Sequence, residues 1–159
     1  MSRQKISKAS FLFLVLIFFS ACNRNVVYSK YHTFKNNVWP ASEKAVFDVM
    51  IKDTLSLNNI SLMIRHADDY PYSNIFLFVT SSYPDGRVIS DTMEVMLANN
   101  KGEWQGSGAG DIFDLKVPVK RNIRFPRSGN YQFQFAQGMR VDMLPLIMDF
   151  GLEIEKVSK

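Results

Sequence analysis

Side chains able to do chemistry are sparse in this chain. Two acidic pairs stand out, Asp68 with Asp69 and Asp111 with Asp114, together with Ser107 in Gly106-Ser-Gly-Ala-Gly110 and the histidines His32 and His66. Paired carboxylates suit a calcium site or the acid–base couple of a glycosidase. Calcium needs about six or more oxygens at tight spacing, whereas Asp68-Asp69 runs straight into Tyr70-Pro71-Tyr72. Such a pair reads as turn chemistry. Ser107 lacks the strand-to-helix elbow that exposes a hydrolase nucleophile. The histidines are too few, and too far from other soft ligands, for zinc. No catalytic, metal or cofactor site is expected, and the chain is not read as an enzyme.

The aromatic residues offer a different chemistry. Trp39, Trp104, Tyr70 and Tyr72 could stack on sugar rings if they shared an exposed face, although core or edge packing is the commoner use of such residues. Tyr70 precedes Pro71, which biases it toward an extended backbone and makes Tyr70-Pro71-Tyr72 a rigid aromatic corner. Arg65 beside Asp68 and Asp69 suggests a local ion pair fixing that loop. Gly102, Trp104 and Gly106 read as a hairpin with the indole packed over its glycines. Asp69, Tyr70, Tyr72 and Trp104 are the expected interface residues, because loop aromatics make good anchors for a partner.

The single cysteine, Cys22, carries the strongest local signal. Arg3, Lys5 and Lys8 precede nine apolar residues, Phe11 to Phe19, and then Ser20-Ala21-Cys22. At 1.5 Å per residue the apolar run spans roughly 14 Å as a helix, about half a hydrocarbon core of ~30 Å, so it is too short to cross a bilayer. Basic residues, apolar run and small residues together make a secretory signal. Phe19-Ser-Ala-Cys22 resembles a bacterial lipobox, with Phe19 where leucine is usual. Cleavage before Cys22 would remove residues 1–21 and leave a lipidated N-terminus. One acyl chain holds a protein reversibly and two hold it stably. No aspartate follows the cysteine directly, and Asn23-Arg24-Asn25 carries no acidic cluster, so a periplasm-facing outer-membrane site is the default expectation.

Composition bounds the rest. The 159 residues are 47% hydrophobic and 21% charged, ordinary for one globular domain. The net charge of +4 falls to about +1 once the three basic residues of the signal are set aside. That leaves no phosphate-neutralising excess of the kind nucleic-acid binding requires. One cysteine also excludes an intramolecular disulfide.

From residue 42 the dominant period is two. "AVFDVMIKD", "SLMIRHA", "RVISDTMEVMLAN", "YQFQFAQ" and the final run through Met148, Phe150, Leu152 and Ile154 all alternate. "NIFLFVTSS" is apolar on both faces and reads as a central strand. Pro118, within the run Phe113 to Val119, marks an edge strand. Turn residues at 83–86, 99–102, 106–110 and 126–129 separate these runs. Seven or eight such strands without a helical period give an all-β chain, an antiparallel β-sandwich. A jelly-roll order is compatible with the pattern, which does not by itself choose a topology. The expected organisation is a signal peptide at 1–21, a lipidated N-terminus and partly docking tether at 22–41, and the sandwich at 42–159.

Four blocks, "RHADDYPYSNIFLFV" (65–79), "DTMEVMLANNKGEWQGSGAGDI" (91–112), "GNYQFQFAQGMR" (129–140) and "MDFGLEIEK" (148–156), together with Cys22, resemble the gliding-motility lipoprotein family GldH. The resemblance covers nearly all of the mature chain. It implies an envelope lipoprotein of Bacteroidetes-type bacteria, acting with other gliding-motility envelope proteins and the complex linked to type IX secretion. It implies no enzymatic activity and no cofactor, and relatives also occur in bacteria that do not glide. The alternative function is a carbohydrate- or peptidoglycan-binding β-sandwich on the same anchor. No nucleic acid and no small-molecule substrate are expected as partners.

Overall fold

The computed structural model describes residues 25–157. The signal segment and Cys22 lie outside those residues. The elements are β1 (Val26–Thr33), a 3₁₀ turn (Lys35–Asn37), β2 (Val38–Pro40), β3 (Ala45–Ile51), β4 (Asn58–Ala67), β5 (Asn74–Ser82), β6 (Val88–Met96), β7 (Ser107–Ala109), β8 (Ile112–Ile123), β9 (Gly129–Gln137), β10 (Met143–Pro145) and β11 (Ile147–Lys156).

Two antiparallel sheets face each other. One has the order β1-β11-β4-β8-β7 and the other β3-β9-β5-β6, while β2 and β10 pair separately. Leaving aside the three-residue strands, the orders are β1-β11-β4-β8 and β3-β9-β5-β6. Successive strands pass from sheet to sheet except at the β5–β6 hairpin. That is the jelly-roll arrangement of eight strands in two sheets.

Alternation along each strand builds the core. β3 alternates without a break, with Ala45, Phe47, Val49 and Ile51 buried and Val46, Asp48 and Met50 exposed. β4 sends Leu62 and Ile64 inward, and β11 sends Phe150, Leu152 and Ile154. Burying one such large apolar side chain contributes about 1.5–3 kcal/mol. Trp39 lies at the centre, stacked on Phe34 with centroids 4.4 Å apart and tilted on Phe150 at 5.1 Å. Its indole N–H donates to the Glu43 carbonyl at 2.9 Å, which satisfies the one polar group that burial would strand.

Two expectations are revised. Residues 26–40, read as part of a tether, form β1 along the free side of β11, in register from Val26 opposite Glu155 to Thr33 opposite Asp149, and then β2. The sheet therefore starts at Val26, not near residue 42. Tyr28, His32 and Phe34 are inward-facing residues whose alternation is masked by polar neighbours. β5 does lie between β9 and β6, but its second apolar face is not buried. Phe76 and Phe78 remain exposed on the outer surface, Phe78 by 55%. Pro118 lies where the edge was expected, because β7 pairs only with residues 112–114 of β8 and leaves the rest of that side open.

Candidate functional site

The two ends of the sandwich differ in character. At one end lie the N-terminus of β1 and the C-terminus of β11. At the other, the loops after β4, β6 and β9 bring the conspicuous aromatic residues together.

His66 is the hub of that second end. Its position on the inward phase of β4, opposite Phe113 of β8, buries it completely. Nδ1–H donates to the Ala67 carbonyl at 2.9 Å, leaving Nε2 as a bare lone pair without a hydrogen-bond partner among the described residues. The ring contacts Trp104 edge-on at 4.6 Å, lies nearly parallel to Phe113 at 5.7 Å and tilts against Tyr70 at 5.7 Å. Burial is the chief cause holding its pKa below the ordinary value, so the imidazole stays neutral.

The expected interface residues divide into two groups. Tyr70 is buried, its hydroxyl donating to Asn74 O at 3.1 Å, and burial pushes that hydroxyl's pKa up. It supports the surface from below and cannot itself face a partner. Asp69 is exposed, while Trp104 and Tyr72 are half-buried, Tyr72 standing edge-on to Tyr70 at 5.7 Å. Trp104 packs on His66, Tyr70 and Phe113 rather than over its glycines, and it is Phe113 that lies against Gly108. Asp68 accepts the Trp104 indole N–H at 2.7 Å.

Arg65 also departs from expectation. It turns away from Asp68 and Asp69 to the outer face of its sheet, where its register partners are acidic. It binds Asp114 through Nε at 2.7 Å and Nη2 at 3.3 Å, and Asp149 through Nη1 at 3.0 Å. Directly opposed residues on neighbouring strands are about 5 Å apart, closer than a loop that curls off the strand end. Thr33 adds a hydrogen bond to Asp149 at 2.5 Å. Asp114 is therefore an ion-pair partner, and no group of three or more potential metal ligands occurs among the described residues.

Beside Tyr72 opens a groove of about 460 Å³, lined by Phe76, Gly138, Met139, Arg140 and Val141. The buried Gln137 shapes it, donating to Val141 O at 2.7 Å and accepting from the Met139 amide at 2.8 Å. The Phe76 amide donates to the Met139 sulfur at 3.3 Å, a weak acceptor. Arg140 extends from the rim. Sequence reasoning missed this groove. Its visible sign was Gln137 itself, a polar residue on the inward phase after Tyr131, Phe133 and Phe135. The same geometry leaves little for sugar stacking, since Trp39 and Tyr70 are buried and Trp104 is engaged by His66.

The molecule is thus a small jelly-roll β-sandwich with one aromatic, grooved end. Comparison with known families then makes the assignment. The family model described as GldH lipoprotein matches residues 26–154. The gliding motility lipoprotein GldH homolog of Christiangramia forsetii is 34% identical over 161 residues, covering 97% of this chain and 98% of that protein. The gliding motility lipoprotein GldH of Flavobacterium johnsoniae is 28% identical over 159 residues, covering 96% and 98%. The chain belongs to the GldH lipoprotein family. A solved structure described as "Structure of infectious bursal disease virus Gx strain" aligns with 82% of this chain and 30% of its own, at 10% identity and a TM-score of 0.31, which carries no argument.

Proposed function

We propose that this chain is an outer-membrane lipoprotein, anchored through Cys22 on the periplasmic side, that serves as a non-catalytic component or scaffold of a gliding-motility machinery linked to type IX secretion. Residues 1–21 are its export signal. The near full-length likeness to two proteins named for gliding motility supports the process. The observation that carries the scaffold role is the groove of Tyr72, Phe76, Met139 and Arg140, which continues onto the exposed Phe78 and Met96 of the outer sheet face. An apolar patch rimmed by a charge is the usual form of a protein-binding surface. Its end of the sandwich is the one remote from the anchor, where a second envelope protein can reach it.

Crosslinking and affinity purification from membranes test the role. Wild-type protein should retain other gliding-motility envelope proteins, and Tyr72→Ala with Arg140→Glu should lose them together with colony spreading, at unchanged protein level. Retention of both by the double variant overturns the role of the groove. Separately, Cys22→Ala should accumulate unprocessed or mislocalised protein, and normal membrane fractionation of that variant would refute the anchor.

A further inference from the structure

The end of the sandwich opposite the groove has its own chemistry. Asn25, the residue before β1, lies there with the loops 52–57, 83–87 and 124–128 and the end of β11. Only two residues separate Asn25 from Cys22, and the three Cα-to-Cα steps between them span roughly 11 Å at most. Because β1 is fixed along β11, that short link leaves no slack for the domain to move away from a lipidated Cys22.

This same end is basic. Among the described residues, Lys52, Lys120 and Arg121 are exposed with no carboxylate partner, and the Arg124 side chain is engaged by the Leu55 carbonyl at 3.0 Å. The acidic groups here are already occupied. Asp53 holds Lys156 at 2.6 Å, Asp85 holds Arg87 at 2.9 Å with Arg127 at 3.6 Å, and Glu155 holds Lys116 at 2.7 Å. The far end exposes Lys35, Lys44, Lys101 and Arg140, but it outweighs them with Asp68, Asp69, Glu94, Glu103, Asp111, Asp114 and Asp142. A near-neutral domain is therefore polarised along its length.

Amid the cations stands Leu55, 83% exposed. Its loop is held rather than loose. Asp53 Oδ1 accepts the amides of Leu55 at 2.9 Å and Ser56 at 3.1 Å, Asp53 Oδ2 accepts the Ser56 hydroxyl at 2.7 Å, and Arg124 clamps the Leu55 carbonyl. A rigidly presented leucine inside a collar of lysine and arginine matches a bilayer interface, where apolar tips enter below the headgroups and cations pair with anionic lipid.

We infer that this basic end is a membrane-docking surface that binds anionic phospholipid headgroups, with Leu55 inserting between them, and so stands the domain upright with its groove facing away from the bilayer. The inference rests on the lipid anchor at Cys22 read above. It makes the anchor one of two contacts, the second setting orientation.

The test uses the processed, full lipoprotein reconstituted into vesicles of phosphatidylcholine alone or with phosphatidylglycerol. An acylated Cys22 leaves no free thiol, so wild-type protein should take no thiol-reactive dye. Labelling of the wild type refutes the anchor and removes the premise. With the wild type silent, Leu55→Cys and Asp69→Cys each carry one dye, and lipid-borne quenchers report its depth. Leu55→Cys should be quenched strongly in the anionic vesicles, and severalfold less in neutral ones, at raised salt, or with Lys52→Glu and Arg121→Glu added. Asp69→Cys should stay unquenched throughout. Equal quenching at the two positions, or quenching at Leu55→Cys that ignores lipid charge, overturns the docking surface while leaving the anchor standing. The side chains of Lys52 and Arg121 make no hydrogen bond or ion pair among the described residues, so their reversal leaves the folded framework intact.

Discussion

The indole N–H of Trp104 meets Asp68 Oδ1 at 2.7 Å, joining the connection after β6 to the loop after β4. The Asp68 amide donates to Asp111 O at 2.8 Å, so one aspartate ties the middle and the C-terminal end of the glycine-rich segment 98–111 to the loop before Tyr70. The exposed side of Trp104 is set by this crossing.

Asp68→Ala should therefore loosen the whole cluster. Loss of one hydrogen bond to a charged acceptor costs about 1.5–3 kcal/mol when buried, and the exposed position of Asp68 puts the expectation near the lower figure. Urea unfolding followed by Trp fluorescence gives the cost, and a red shift of emission in the folded state reports the freed indole. Unchanged stability and unchanged emission would show the bond to be incidental.

His66 sets a pH dependence whose direction follows from its burial. In the unfolded chain the imidazole returns to its ordinary value of 6.5, while burial depresses it in the fold, opposed by the Ala67 bond and by the fields of Asp68 and Asp114. The unfolded state thus takes up the proton first. The stability contributed by neutral His66 is fully present above about pH 6.5 and is lost as pH falls from there toward the lower folded value. His66→Phe retains an aromatic ring among Tyr70, Trp104 and Phe113 and removes the titration. Between about pH 7.5 and pH 5.5 the wild type should lose more stability in urea than this variant. Parallel losses in the two would exclude His66 as the cause.

The outer strand β6 presents an open edge, and Asp91 guards it. Asp91 Oδ1 accepts the Thr92 amide at 2.8 Å, so a donor on the unpaired side is capped from within the strand. A charge at such a position is a common defence against edge-to-edge pairing. Asp91→Val, a good strand residue without the cap, should increase concentration-dependent association, measured by light scattering against wild type at matched concentrations. Identical scattering curves would mean that the edge is protected by other means.

Local pattern alone was enough for much of this protein. Strand phases in β3, β9 and β11 follow from side chains alternating every two residues, a property of each strand by itself. Pro118 marked its edge because a missing N–H is a property of one residue. The likeness of four ordered blocks to one family is equally local. β1 escaped notice because an edge strand beside a polar surface needs only every other residue apolar, and Tyr28, His32 and Phe34 sit among lysine, serine and asparagine.

What tertiary structure decided is everything that depends on register between distant strands. Arg65 could see Asp68 and Asp69 in the sequence, but Asp114 and Asp149, 49 and 84 residues away, are its partners because β8 and β11 flank β4. The jelly-roll order, the burial of His66 and Tyr70, the groove beside Tyr72 and the gathering of cations around Leu55 have the same origin. Each is set by which strands pair and at what offset, and the energy that selects the pairing is summed over the whole core rather than written in any one segment.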